Sequence, residues 1–472
     1  MIFTDTRDNS VQTNLRTAVL QGMNSKTGGL YIPCEYPRLS KELLENTVPP
    51  TFREIAFEIA KVYCKEEISD AKLQQIISDC YPFNIPVTQV DPNSYVLELY
   101  HGPTCAFKDV GARFMAQLMS YFNEGENDNL HILVATSGDT GSAVGSAFHG
   151  LPGIDVTILY PKGKISEIQE KQLSTFTGNV RALAVEGTFD DCQKLVKQAF
   201  TDNDIRAKLR LSSANSINIA RLLPQSFYYM YSSLVVKSKS WQNNKIEDPA
   251  IIMTVPSGNF GNLTSGLIAT RMGAPITGFI AATNANKTIP DWLLSGKYDP
   301  RPSVATLANA MDVGAPSNFE RMMAMYSHEE IKEMMASYWT DDKGTIEGII
   351  NHYEKTGCII DPHGAIGWQA WQSVTKGGFL QLMSGFEGDA TQPGLTPSLP
   401  SWAQSVVDNK AIGIVLGTAH PAKFNDTVKE AIGREPPLPD RLEKVLRLKD
   451  NSVQMNNDYA EFKAWLLATL SK

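Results

Sequence analysis

From Phe107 the apolar positions fall at Phe107, Val110, Phe114, Met115, Leu118, Met119 and Phe122, the spacing of one buried helical face. Ahead of them, Leu97-Glu98-Leu99-Tyr100 predicts a short strand, and Gly102-Pro103 breaks the chain between the two. The alternation continues. Apolar runs at 132–136, 156–160, 180–185 and 209–213 predict strands, with helical patterns at 167–171 and 189–200 between them. A second set of buried strands starts at Ile251 and includes 276–281 and 412–416. Strands and helices in this order build β-α-β units around mostly parallel sheets, an α/β fold with helices flanking two open sheets. Residues 1–95 read as mainly helical, with a helix start at Pro49-Pro50-Thr51 and a turn into a short strand at 28–33. The polar stretch 237–249 predicts a linker, and the Gly/Pro/Ser-rich stretch 384–401 a surface insertion. The expected organisation is an N-terminal region (1–95) packed on a large domain, a small α/β domain (96–236) and the large α/β domain itself (237–472). A ligand site belongs at the carboxyl ends of the strands.

Composition narrows the class. At 472 residues, with 42% apolar and 20% charged positions, the chain suits a globular protein of two or three domains. A net charge of −8 and the lack of a dense basic run argue against a nucleic-acid partner. No apolar run reaches membrane-spanning length, and the first residues carry no apolar signal core, so no membrane partner is expected. Six cysteines (34, 64, 80, 105, 192 and 358) stand far apart without a C-x-x-C pair. That pattern reads as reduced thiols of a cytoplasmic protein. Histidines lack ligand spacing, and no metal is expected.

Candidate chemistry collects where predicted strands end. Lys108 opens the amphipathic helix, where a partly apolar cleft would disfavour its ammonium and leave a nucleophilic amine. A solvated lysine at a helix start explains the same local pattern. Thr136-Ser137-Gly138-Asp139-Thr140-Gly141 follows a strand and opens a helix, so its N–H groups and hydroxyls can hold an anion. Its G-x-x-G spacing fits neither the dinucleotide nor the Walker pattern. A tight turn without a ligand also fits. Ser257-Gly258-Asn259-Phe260-Gly261-Asn262 repeats the arrangement on the second set of strands. Two such cradles suggest ligands with two acidic groups.

Two further clusters are less decisive. Asn215, Ser216, Asn218 and Arg221 sit at a strand end and helix start, where arginine's planar fork suits phosphate. A capped helix with a surface arginine is the alternative. Thr418 ends a buried strand with a hydroxyl, and His420, beside Pro421, reads as structural more readily than catalytic. The turn Asp361-Pro362-His363-Gly364 is assigned no chemistry.

Taken in order, these blocks resemble the threonine synthase family over nearly the whole chain. The resemblance rests on 101–109, 136–143, 215–225, 256–262 and 417–424, with the N-terminal Gly28-Gly29-Leu30-Tyr31-Ile32-Pro33. It implies a pyridoxal 5′-phosphate enzyme of fold type II, the tryptophan synthase β-like fold. Such an enzyme converts O-phospho-L-homoserine and water to L-threonine and phosphate, the last step of threonine biosynthesis. By the same resemblance, Lys108 would form the Schiff base with the cofactor aldehyde, next to Phe107. Ser257, Gly258, Asn259, Phe260, Gly261 and Asn262 would cradle the cofactor phosphate, and Thr418 would face the pyridine nitrogen. Asp139 stands where relatives of the fold often carry Asn near the cofactor's 3′-oxygen. Ser137, Gly138 and Thr140 would hold the substrate carboxylate. Thr136, Asn215, Ser216, Asn218 and Arg221 would hold its phosphate. The family implies a monomer or homodimer. The alternatives are a phospho-lyase, another fold type II β-eliminating or β-replacing enzyme, or an inactive binding protein of the same family.

Overall fold

Aliphatic runs without a helical period become strands buried along their whole length: Leu130–Ala135, Gly278–Thr283 and Ala411–Gly417 each carry no exposed residue. Strands of that kind need cover on both faces, which a parallel sheet flanked by helices provides. The computed structural model describes residues 1–46, 48–243, 248–384 and 391–470.

In chain order, β1 (Ile2–Asp5), β2 (Gln12–Asn14) and β3 (Tyr31–Pro33) form a small antiparallel sheet, and β4 (Val87–Asp91) and β5 (Ser94–Glu98) make a hairpin. β6 (Leu130–Ala135), β7 (Ile154–Pro161), β8 (Val180–Glu186) and β9 (Arg210–Ser213) alternate with helices. β10 (Ala250–Pro256), β11 (Gly278–Thr283), β12 (Met335–Trp339), β13 (Gly394–Leu395) and β14 (Ala411–Gly417) follow, and β15 (Val453–Asn456) comes last. They make a seven-stranded sheet in the order β13-β12-β11-β10-β14-β5-β4 and a five-stranded sheet in the order β15-β8-β7-β6-β9. The smaller sheet is parallel throughout, and the larger is antiparallel only at its two edge strands.

Sheet membership departs from the boundaries drawn at 96 and 237. β5 pairs in parallel with β14, so the strand leading to Lys108 lies in the larger sheet. The helix it feeds, Lys108–Asn123, packs against Asp139–Phe148 on the smaller one. β15 returns the chain to the smaller sheet beside β8, and helix Tyr459–Leu470 covers Phe189–Thr201. The expected linker at 237–249 is in part helix, since Gln225–Asn243 runs into it, while 244–247 lie outside the described residues. Of the expected surface insertion, 385–390 lie outside them too. Its remainder is less superficial: β13 extends the larger sheet, and Thr396 and Ser398 are buried. Hydrogen bonds explain this, since the Thr396 N–H donates to the Ser337 carbonyl in β12. Among the described residues no helix is long and apolar enough to cross a membrane.

Candidate active site

Sheet order decides what meets. β10, β14 and β5 are parallel neighbours, so the loops leaving them stand side by side: 257–260 after β10, Thr418 after β14, and the Gly102–Lys108 crossing after β5. From the smaller sheet, neighbours β6 and β9 deliver 136–140 and 214–221 to the same place. Between them lies a cavity lined by Lys108, Ser137, Asp139, Asn215, Arg221, Ser257–Asn262 and Thr418, among others.

Lys108 is the first residue of its helix, and among the described residues its amine has no hydrogen-bond partner; it lies 5.7 Å from the Phe107 ring centroid. Burial pushes its pKa down to about 8, with Asp139 pulling upward and the Lys423 and Arg221 charges pushing further down. An amine so placed is a nucleophile toward an aldehyde and a base toward a carbon acid. Its burial also burdens the fold. Between about 8 and lysine's ordinary 10.5 the native state binds fewer protons than the unfolded chain, so stability rises with pH across that window. In the cofactor-free protein, Lys108→Met should melt above the wild type below pH 8, with the gap closing toward pH 10.5. Thermal scans across that range check this, and a gap independent of pH would contradict it.

Asp139 begins the helix Asp139–Phe148 and is 2% exposed. Its Oδ1 accepts from the fully buried Lys423 Nζ at 2.6 Å and from Gln169 Nε2 at 3.0 Å. Burial opposes the charge, but Lys423, Lys108 and Gln169 together hold the carboxyl far below its usual range. The same Lys423 Nζ donates to the Thr104 carbonyl at 3.1 Å. Thr104 in turn donates from its N–H and hydroxyl to Asp109, beside Lys108. Neither Lys423 nor Gln169 is marked by spacing in the sequence.

The loop after β10 leaves room for an anion and little else. A Cβ on Gly258 would lie 2.9 Å from both the Ala310 carbonyl oxygen and the Met311 Cα. Phe260 takes a left-handed conformation (φ 58°), uncommon for a bulky residue, just before helix Gly261–Arg271. Such a turn at a helix start gathers N–H groups into an anion-binding concavity. Asn262 lines it. Its Oδ1 accepts from the Tyr228 and Tyr229 hydroxyls at 2.5 and 2.9 Å, leaving a buried Nδ2 without a partner. The Ser257 hydroxyl is spent on the Val255 carbonyl, so that residue offers the loop its backbone.

On the opposite wall, Ser137 and Thr140 are half-buried and line the cavity. Thr136 also lines it, although its hydroxyl already accepts from the Gly138 and Gly141 N–H groups. Gly138 is absent from the lining; with φ at 124° and the Gln169 amide where a Cβ would stand, it shapes the turn. Arg221 is 3% exposed, donates from Nη1 to the Ala214 carbonyl at 2.8 Å, and keeps a buried Nε without a partner. Burial lowers its pKa to about 10, against the pull of Asp109.

Asn218 departs from the expected subsite. Its Nδ2 donates to the Val19 and Ser213 carbonyls and its Oδ1 caps the helix Ile219–Leu222, so it braces the loop and does not line the cavity. His420 likewise caps the turn Pro421–Phe424 through Nδ1 and stays out of the lining. His363, given no chemistry from sequence, does line it. Its Nδ1 lies 2.7 Å from Asp361 Oδ2 and its Nε2 accepts from the Ala310 N–H. Asp361 caps that helix as many aspartates do, so the local pattern held no signal.

The profile described as pyridoxal-phosphate dependent enzyme matches residues 85–379. Those described as threonine synthase N terminus and threonine synthase, C-terminal match 2–81 and 401–466. A threonine synthase of Haemophilus influenzae is 40% identical over 460 residues, 97% of each chain. The crystal structure of threonine synthase from Escherichia coli superposes with a TM-score of 0.83 at 35% identity, over 99% of this chain and 100% of that one. The PLP-bound threonine synthase from Brucella melitensis gives 0.83 at 32% identity, over 100% and 99%. On these matches, which run through both sheets and every loop of the cavity, the chain belongs to the threonine synthase family.

Proposed function

We propose that the cavity converts O-phospho-L-homoserine and water into L-threonine and inorganic phosphate, with Lys108 as its reactive amine. The enzyme is a pyridoxal-phosphate-dependent lyase of threonine biosynthesis. The residues fit that cofactor: the Gly258 close approach, the Phe260 turn and the free Asn262 Nδ2 suit a phosphate, and Lys108 stands across the cavity for the aldehyde. Bound there, pyridoxal phosphate supplies an aldehyde that captures amines and a ring that absorbs a carbanion's electrons.

In this reading Lys108 Nζ takes the substrate's α-proton once the substrate amine has displaced it. Ser137 and Thr140 hold the carboxylate. Thr418 would offer the cofactor's ring nitrogen a neutral hydroxyl. A β-proton is lost as phosphate leaves Cγ, and Arg221 stabilises the departing dianion; Cγ then gains a proton, Cβ the hydroxyl of water, and Cα regains its proton. Arg221 carries the assignment: a buried guanidinium lining the cavity with an unspent donor has no purpose for an unphosphorylated substrate.

Two measurements test it. Purified enzyme should release threonine and phosphate in equal amounts; 2-oxobutyrate in place of threonine would make it a lyase that eliminates without rebuilding. Arg221→Ala should lower kcat/KM about 10²–10³-fold, the loss typical of one oriented donor at developing charge. Unchanged kcat/KM would remove Arg221 from this role. We place the activity in the cytoplasm, on six cysteines that are all free thiols.

A further inference from the structure

Arg321 lies outside the cavity lining and is 0% exposed, on the helix Phe319–Met325. Its guanidinium donates to four acceptors: the Tyr31 carbonyl (3.0 Å), the Ser216 carbonyl (2.8 Å), Asn318 Oδ1 (2.7 Å) and the Ile217 carbonyl (2.5 Å). None is a carboxylate. Glu320, next to it in the chain, turns its carboxylate to Arg7 and Thr6. A buried cation hydrogen-bonded only to neutral oxygens, with its neighbouring carboxylate paired to another arginine, keeps positive charge only partly compensated, which is costly unless an anion arrives.

Where that charge sits gives it a use. Because a trans peptide holds its C=O and N–H on opposite sides, aiming the Ser216 carbonyl at Arg321 turns the Ile217 N–H the other way. Neither the Ser216 nor the Ile217 N–H has a partner among the described residues. Asn318, also 0% exposed, donates from Nδ2 to Ser216 Oγ and to the Asn259 carbonyl, each at 3.1 Å. One short segment therefore grips the loop after β9 and the loop after β10 together.

We propose that Arg321 is a positioning residue for the substrate's phosphate: it fixes the Ser216–Ile217 peptide with the Ile217 N–H turned away from it, supplies positive charge behind it, and through Asn318 ties this loop to the cofactor-phosphate loop. Burial also lowers the Arg321 pKa to about 9, against the pull of Glu320. The proposal rests on 215–221 being the phosphate subsite, as assigned above.

The test uses the holoenzyme with two competitive ligands: inorganic phosphate, and L-threonine, which lacks the phosphate. Arg321→Lys keeps a charge but cannot reach all four acceptors. It should weaken phosphate about tenfold, the worth of one charge-assisted hydrogen bond, and raise KM more than it lowers kcat, with L-threonine within about twofold. Asn318→Ala, which leaves Arg321 in place, should weaken phosphate in the same selective way, and it decides the matter if Arg321→Lys does not fold. Equal weakening of both ligands, or a lower Tm with phosphate affinity intact, would make Arg321 a structural residue and overturn the proposal. A separate control isolates its premise. If Arg221→Ala leaves phosphate affinity unchanged, the subsite assignment fails and this proposal with it; if Arg221→Ala weakens phosphate and the Arg321 and Asn318 variants do not, only this proposal fails.

Discussion

Lys108→Ala is expected to lower kcat by at least about 10³-fold, because one amine performs both covalent capture and proton transfer. Purified wild type reduced with borohydride should carry the cofactor's mass on the peptide containing residue 108; the variant should not. Lys108→Arg should not rescue turnover, since a guanidinium stays charged where a free amine is required. The surroundings make the prediction sharp. No hydrogen bond holds Lys108 among the described residues, so its loss leaves no orphaned partner and the fold should tolerate it. An inactive variant that still binds the cofactor would therefore report on chemistry alone. Residual turnover above a tenth of the wild type would move the reactive amine elsewhere; Lys423 is the nearby lysine, already committed to Asp139.

The sequence carried the cavity's walls better than its braces, for a physical reason. Each cradle follows a strand with no exposed residue, so an apolar run broken by Gly and hydroxyl residues marks it locally. β10 into Ser257-Gly258 and β14 into Gly417-Thr418 are of this kind. The braces carry no local mark. Lys423, Gln169 and Arg321 work through partners distant in sequence, which spacing within a segment cannot encode. Weak strands escaped for a related reason. β15 reads Val-Gln-Met-Asn with only Met455 buried, an edge strand whose evidence is the β8 backbone beside it. β12 follows the helix His328–Met334 without a break, so no turn residue marks its start. Even Lys108's place was half legible: its helix was plain, but the parallel pairing of β5 with β14 that sets it beside Thr418 appears only in the fold.

Lys423→Met should destabilise the protein by about 3–5 kcal/mol, the usual cost of stranding one member of a buried ion pair. Asp139 would keep Gln169 and lose the ammonium at 2.6 Å, while Thr104 would lose a donor on its carbonyl. The double variant Lys423→Met/Asp139→Asn removes the stranded charge and should recover most of that loss, since Asn can still accept from Gln169. Urea unfolding of the two single variants and the double one measures the coupling. Additive losses, or a single-variant cost under about 1 kcal/mol, would show that the pair does not act as a unit. The recovery should stop short of complete, because the Thr104 contact does not depend on Asp139. That remainder matters for Lys108. Thr104 holds Asp109 one residue from the reactive amine, so a double variant that folds well should still tether the 104–108 crossing more loosely than the wild type. Faster amide exchange at 104–108, with the sheets unchanged, is the expected sign; equal exchange there would make the Lys423–Thr104 contact dispensable.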